Sequence, residues 1–113
     1  MTLHFARVGD GPPIVVLHGL FRSGRNWLTV ARRLSDRYTL YLVDLRNHGR
    51  SLHLESMTYT DMIADVRALV DELGLQDFVL IGHSMGGKAA MTMALNDPRG
   101  IARLVCIDIA PVR

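Results

Sequence analysis

The sequence predicts an α/β protein: a parallel sheet with helices on both faces. Three observations predict it. Short β-rich runs alternate with longer helical ones along the chain. Two short runs, Ile14-Val15-Val16-Leu17 and Phe78-Val79-Leu80-Ile81, are continuously apolar, and a serine between glycines, Gly82-His83-Ser84-Met85-Gly86, follows the second. Apolar runs of strand length mark strands buried on both sides, as in a sheet covered by helices.

Taken in order, Leu3 to Val8 reads as a strand closed by the turn Gly9-Asp10-Gly11-Pro12-Pro13, and Ile14 to His18 as a buried strand. Asn26 to Leu34 follows as a helix, with Trp27, Val30, Ala31 and Leu34 spaced at three and four residues. Thr39 to Val43 is the next strand and ends at Asp44. Thr60 or Asp61 can cap a helix running to Leu73, where Gly74 stops it; Ile63, Val66, Ala68, Leu69, Val70 and Leu73 supply its apolar side. Asp77 to Ile81 is a third buried strand, and Gly82 turns the chain. Ser84 to Asn96 reads as helix, ended at Asn96-Asp97-Pro98 because proline cannot continue it. Arg103 to Asp108 is the last strand. No repeat, low-complexity segment or linker interrupts the series, and 113 residues make one domain at most.

Composition narrows the function classes. Apolar residues are 49% and charged residues 21% of the chain, which argues against disorder. A formal charge of +2 is spread over scattered arginines with Lys88 the sole lysine, so no basic patch marks a nucleic-acid partner. The N-terminus lacks a secretory pattern, and no apolar run approaches the roughly 20 residues of a membrane span, so a cytoplasmic protein is expected. The single cysteine, Cys106, precludes an internal disulfide and is expected to be a buried, inert small hydrophobe. Histidines and carboxylates lack metal-ligand spacing, so no metal is expected. Met85, Met91 and Met93 read as core filler.

The motif Gly-x-Ser-x-Gly is weak alone and gains weight from its setting. A strand precedes Ser84 and a helix follows it, which is the context of a nucleophile elbow. A serine on such a sharp turn projects its hydroxyl above the sheet edge. Side chains two positions away on either side would collide there, so Gly82 and Gly86 leave them out. Acyl transfer also needs two preorganised N–H donors for the developing oxyanion. The backbone N–H of Met85 supplies one. The loop Leu17-His18-Gly19-Leu20-Phe21 offers the other, Leu20 first and Phe21 second, with His18 and Gly19 shaping the loop.

"VVLHGLFRSGRNW", "YLVDLRNHGRS", "FVLIGHSMGGKAAM" and "LVCIDIAPV" stand in this order and spacing. Together they resemble the N-terminal half of an α/β-hydrolase and, more narrowly, the small bacterial esterases of the YbfF type and their mitochondrial relatives. The resemblance runs from about Ile14 to Val112. It implies a sheet mixed at its N-terminal edge, and hydrolysis of acyl esters or thioesters by a Ser–acid–His triad without a cofactor. Ser84 matches the nucleophile, Leu20 and Met85 the oxyanion donors, and Asp108 the acid, which in this branch sits in the motif matching Ile107-Asp108-Ile109-Ala110-Pro111.

Triads of this superfamily run Ser, acid, His, and no histidine follows Ser84. His4, His18, His48, His53 and His83 all precede it; His83 adjoins the nucleophile on a turn that directs it away, and His48 matches a structural position. Asp44 at its strand end is expected to pair with Arg46 or to accept backbone N–H bonds. The expectation is therefore a partial domain, residues 1–113, lacking the later strands, lid and histidine loop, poorly active alone and able to self-associate through an exposed strand edge. The alternatives are a non-catalytic binding or interaction domain, or another serine-based chemistry such as a perhydrolase or C–C hydrolase. Dehalogenases and epoxide hydrolases are disfavoured, because their nucleophile is an aspartate.

Overall fold

The computed structural model describes residues 3–17, 28–45, 58–83 and 85–107. Among the described residues five strands form one sheet: β1 (Phe5–Gly9), β2 (Pro13–Leu17), β3 (Thr39–Val43), β4 (Phe78–His83) and β5 (Ile101–Ile107). Their spatial order is β1-β3-β2-β4-β5. The last four are parallel. β1 runs antiparallel beside β3, with Phe5 opposite Val43, so the sheet is mixed at its N-terminal edge as expected.

The apolar runs divide by alternation into two cores. On one face Val15, Leu17, Tyr41, Val43, Phe78 and Leu80 meet Met62, Val66, Leu69 and Val70 of α2 (Tyr59–Leu73) and Ala89, Ala90 and Met93 of α3 (Met85–Asn96). On the other, Ile14, Val16, Leu40 and Leu42 pack with Ala31 of α1 (Leu28–Leu34). Every residue of β3 is buried, the continuous burial that a helix-covered sheet imposes.

Several boundaries move for identifiable reasons. β1 and β2 are shifted by one or two residues, and β5 starts earlier, at Ile101, and ends at Ile107. β4 does not stop at Ile81 but continues through Gly82 to His83, and α3 starts at Met85. Asp77 is not in the strand; its φ of 52° makes it the turn residue before β4. The cap of α2 is Thr58 rather than Thr60 or Asp61. The Thr58 side chain accepts the Asp61 N–H while the Asp61 carboxylate accepts the Thr58 N–H, a capping box that starts the helix two or three residues earlier. Gly74, at φ 66°, ends that helix in the left-handed region. Ala68, expected on the apolar side, is exposed, and Met62, which was not among the expected residues, is buried in the core. Met93 is fully buried and Met91 half-buried. The expected start of α1 at Asn26 lies outside the described residues.

Arg67, in the middle of α2, ties that helix to the residues just beyond the end of α3. Its guanidinium donates to the Asp97 and Arg99 carbonyls at 2.8 and 2.9 Å, and its Nε lies 3.0 Å from the Asp97 carboxylate. Arg99 grips the same carboxylate with two bonds, at 2.8 and 2.9 Å. Those bonds, helped by the charge of Arg67 and opposed by partial burial, bring the Asp97 pKa from the usual 3.8 to about 2. A depressed folded pKa means that the contribution is present above the unfolded value and is lost as pH falls through about 2. Carboxyl carbon shifts followed by NMR are expected to keep Asp97 ionised at pH 3, and Arg99→Met to move its midpoint back toward 3.8.

Candidate active site

The parallel strands β2, β4 and β5 end level with one another. Leu17 pairs with Gly82, Gly82 with Cys106, and His83 with Ile107. In sequence, His18, Gly19 and Leu20 follow Leu17, Ser84 follows His83, and Asp108 follows Ile107. These five residues and Phe21 lie outside the described residues. The strand ends from which they continue share one sheet edge, the carboxyl edge where open α/β sheets receive ligands.

One residue joins β4 to α3, since the strand ends at His83 and the helix begins at Met85. So short a junction folds the helix back onto the strand it leaves, and Gly82 shows how closely. A Cβ on Gly82 would lie 2.6 Å from the Gly86 carbonyl carbon and from the Gly87 Cα, and would enter the Gly86 carbonyl oxygen. No carbon fits there. The backbone at Gly82 is outside the left-handed region, so close approach alone demands the glycine. Gly86 is buried in the first turn of α3. Met85 is the first helical residue, where N–H groups have no acceptor within the helix and the helix dipole favours negative charge.

Cys106 was expected to be buried and inert. It is half-buried, because β5 is an edge strand among the described residues and leaves it one open side. Its Sγ reaches the Gly87 carbonyl at 3.8 Å, directly beneath the β4–α3 junction. Burial raises its pKa above the ordinary thiol value. This contact was not foreseen, because the strand register that brings residue 106 beside Gly82 is invisible in either local sequence.

Asp44 is buried at the end of β3, 4.0 Å from His4 Nε2. The antiparallel course of β1 brings His4 to the same edge as the ends of the parallel strands. Two strands stand between β1 and β4, so His4 is about 14 Å from the β4 end at ordinary strand spacing. His83 shares the face of Val79 and Ile81, opposite that of Gly82. Arg46, His48 and His53 lie outside the described residues. Among the described residues no group of three His, Cys, Asp or Glu side chains could hold a metal ion, and no helix is long and apolar enough to cross a membrane.

The arrangement agrees with comparisons to known proteins. Residues 12–112 match the family described as the alpha/beta hydrolase fold. The chain is 53% identical over 104 residues to the sn-1-specific diacylglycerol lipase ABHD11 of Xenopus laevis, covering 89% of this chain and 33% of that one. It is 43% identical over 103 residues to the esterase YbfF of Escherichia coli, covering 91% of this chain and 41% of that protein. Among solved structures, a marine microorganism esterase superposes with a TM-score of 0.93 at 42% identity, over 97% of this chain and 42% of that one. The chain thus spans between a third and two fifths of the length of these relatives. A mixed sheet of this order, a strand-to-helix junction with no space for a side chain at Gly82, and the match over residues 12–112 agree: the chain belongs to the α/β-hydrolase fold family.

Proposed function

We propose that these residues are the nucleophile-bearing part of a serine hydrolase that cleaves carboxylic acyl esters or thioesters through an acyl-enzyme. The observation that carries this reading is the β4–α3 junction: one residue, Ser84, links a buried strand to a helix start, and Gly82 admits no Cβ. In the proposed reaction the Ser84 hydroxyl attacks the acyl carbon and gives up its proton to a general base. The N–H groups of Met85 and Leu20 hold the oxyanion, and the protonated leaving group departs. Water then repeats the attack and frees the acid. Asp108 orients the base. In this superfamily the base is a histidine beyond the acid in the chain, so it would come from sequence outside residues 1–113. The lipase and esterase names of the relatives support an ester substrate.

The test is a chimera in which this chain replaces the corresponding N-terminal part of the E. coli esterase. It is expected to hydrolyse p-nitrophenyl butyrate and to be labelled at Ser84 by a fluorophosphonate. Ser84→Ala should abolish both, and the 113-residue chain alone should label at least about a thousandfold more slowly for want of the base. A folded chimera whose labelling survives Ser84→Ala would refute the assignment of the nucleophile. Rapid turnover by the isolated chain would refute the external base. Saturable ester binding without turnover by the folded chimera would instead identify a binding domain.

A further inference from the structure

Asp44 is the only charged side chain among the described residues that is buried, at 4% exposed. Burying a carboxylate is costly unless it is paired or hydrogen-bonded. An apolar side chain such as Leu40, Leu42 or Val43 would follow β3 at no such cost. Alternation puts Tyr41, Val43 and Leu45 in one core and Leu40 and Leu42 in the other, so Asp44 stands on the α1 face of the sheet. On the β1 side its N–H donates to the His4 carbonyl at 2.9 Å, and the His4 ring lies 4.0 Å from the carboxylate. On the other side stands β2. Leu17 is level with Val43, so Asp44 is level with the point at which the chain leaves β2 toward His18, Gly19 and Leu20. N–H groups of a chain leaving a sheet have no ladder partner. An ionised carboxylate only accepts, and it is the strongest acceptor a side chain can offer them. β4 is two strand spacings from β3, about 10 Å, so the carboxylate is out of reach of a proton at the β4 end.

We propose that Asp44 is a positioning residue: its carboxylate holds, through N–H bonds, the chain that continues from β2, and so fixes the Leu20 N–H where the oxyanion forms. The inference rests on the hydrolase reading and adds to it the group that keeps the second donor in place. Asp44 touches no substrate. Its effect belongs to the transition state, where the charge to be held develops, and not to ester binding.

The test uses the chimera with the E. coli esterase. Asp44→Asn keeps the shape of the side chain, removes its charge and turns one of its two acceptors into a donor. It is expected to lower kcat for p-nitrophenyl butyrate about ten- to hundredfold and to change KM by less than about threefold. A pentyl trifluoromethyl ketone, which takes up the serine hydroxyl and presents an oxyanion, should bind more weakly by the factor lost in kcat/KM. Arg67→Met acts where the chain enters β5, at the other edge of the sheet, and assayed below its Tm should move neither number. A loss of stability alone therefore does not imitate the result. Should Asp44→Asn fail to fold, His4→Ala removes the neighbour of the carboxylate and should lower kcat and ketone affinity together, about threefold. Fluorophosphonate labelling of Ser84 in the parent chimera reads the hydrolase assignment separately. With that labelling present, an unchanged kcat in the folded variant, or a loss confined to KM with ketone affinity intact, would overturn the role of Asp44. A parent chimera that is not labelled would overturn the hydrolase reading and this inference with it.

Discussion

Gly82→Ala is expected to lower the folding free energy by about 3 kcal/mol, whereas Gly74→Ala should cost about 1 kcal/mol. The two glycines serve different physical needs. Gly74 has φ 66° with nothing within 4 Å of an added Cβ, so its substitution meets only the backbone cost of a left-handed alanine. Gly82 has ordinary backbone but no space, and the obstacle is the main chain of Gly86 and Gly87 rather than a flexible side chain. Nothing soft can yield, so the helix must move off the strand. A loss of about 3 kcal/mol is a large share of a domain stability of about 5–15 kcal/mol. Urea titrations of both variants would show it as a lower midpoint at unchanged slope. Equal midpoints for the two would mean that the close approach at Gly82 relaxes at little cost.

The second large effect is expected from Arg67→Met, about 2–3 kcal/mol of destabilisation, seen as a fall of about 10 °C in Tm. Methionine keeps the length and packing of the side chain but removes every donor. The carbonyls of Asp97 and Arg99 then lose the bonds that tie the end of α3 to α2, and the Asp97 carboxylate keeps only Arg99. Arg67→Lys should recover less than half of the loss, since one ammonium cannot reproduce a planar fork spanning two carbonyls and a carboxylate. A Tm unchanged in Arg67→Met would show that the clamp only decorates helices already held by Met93, Val66 and Leu69.

What the sequence made legible follows from the range of the interactions. Thr39 to Val43 was placed to the residue, because a strand buried on both faces leaves an uninterrupted apolar signature. Gly74 as a helix stop and Gly82 as a close-contact position were legible because glycine solves a local backbone problem. The cap of α2 was missed by two residues, since Thr58, Thr60 and Asp61 are all competent caps and only the reciprocal bonding of Thr58 with Asp61 decides among them. The extension of β4 to His83 comes from pairing with Ile107 across the sheet, a contact between residues far apart in the chain. The approach of Cys106 to Gly87 and of His4 to Asp44 depends on register in the same way. Local chemistry is written in the residues; level strand ends are not.

The central place of β2 has a consequence for how the chain is made. β2 lies between β3, which follows it closely, and β4, which appears about sixty residues later. At a synthesis rate of about 5–20 residues per second, one side of an all-apolar strand waits roughly 3–12 seconds for its partner. The order of emergence thus exposes the central strand before its second neighbour exists, and a translational pause before β4 would lengthen that interval.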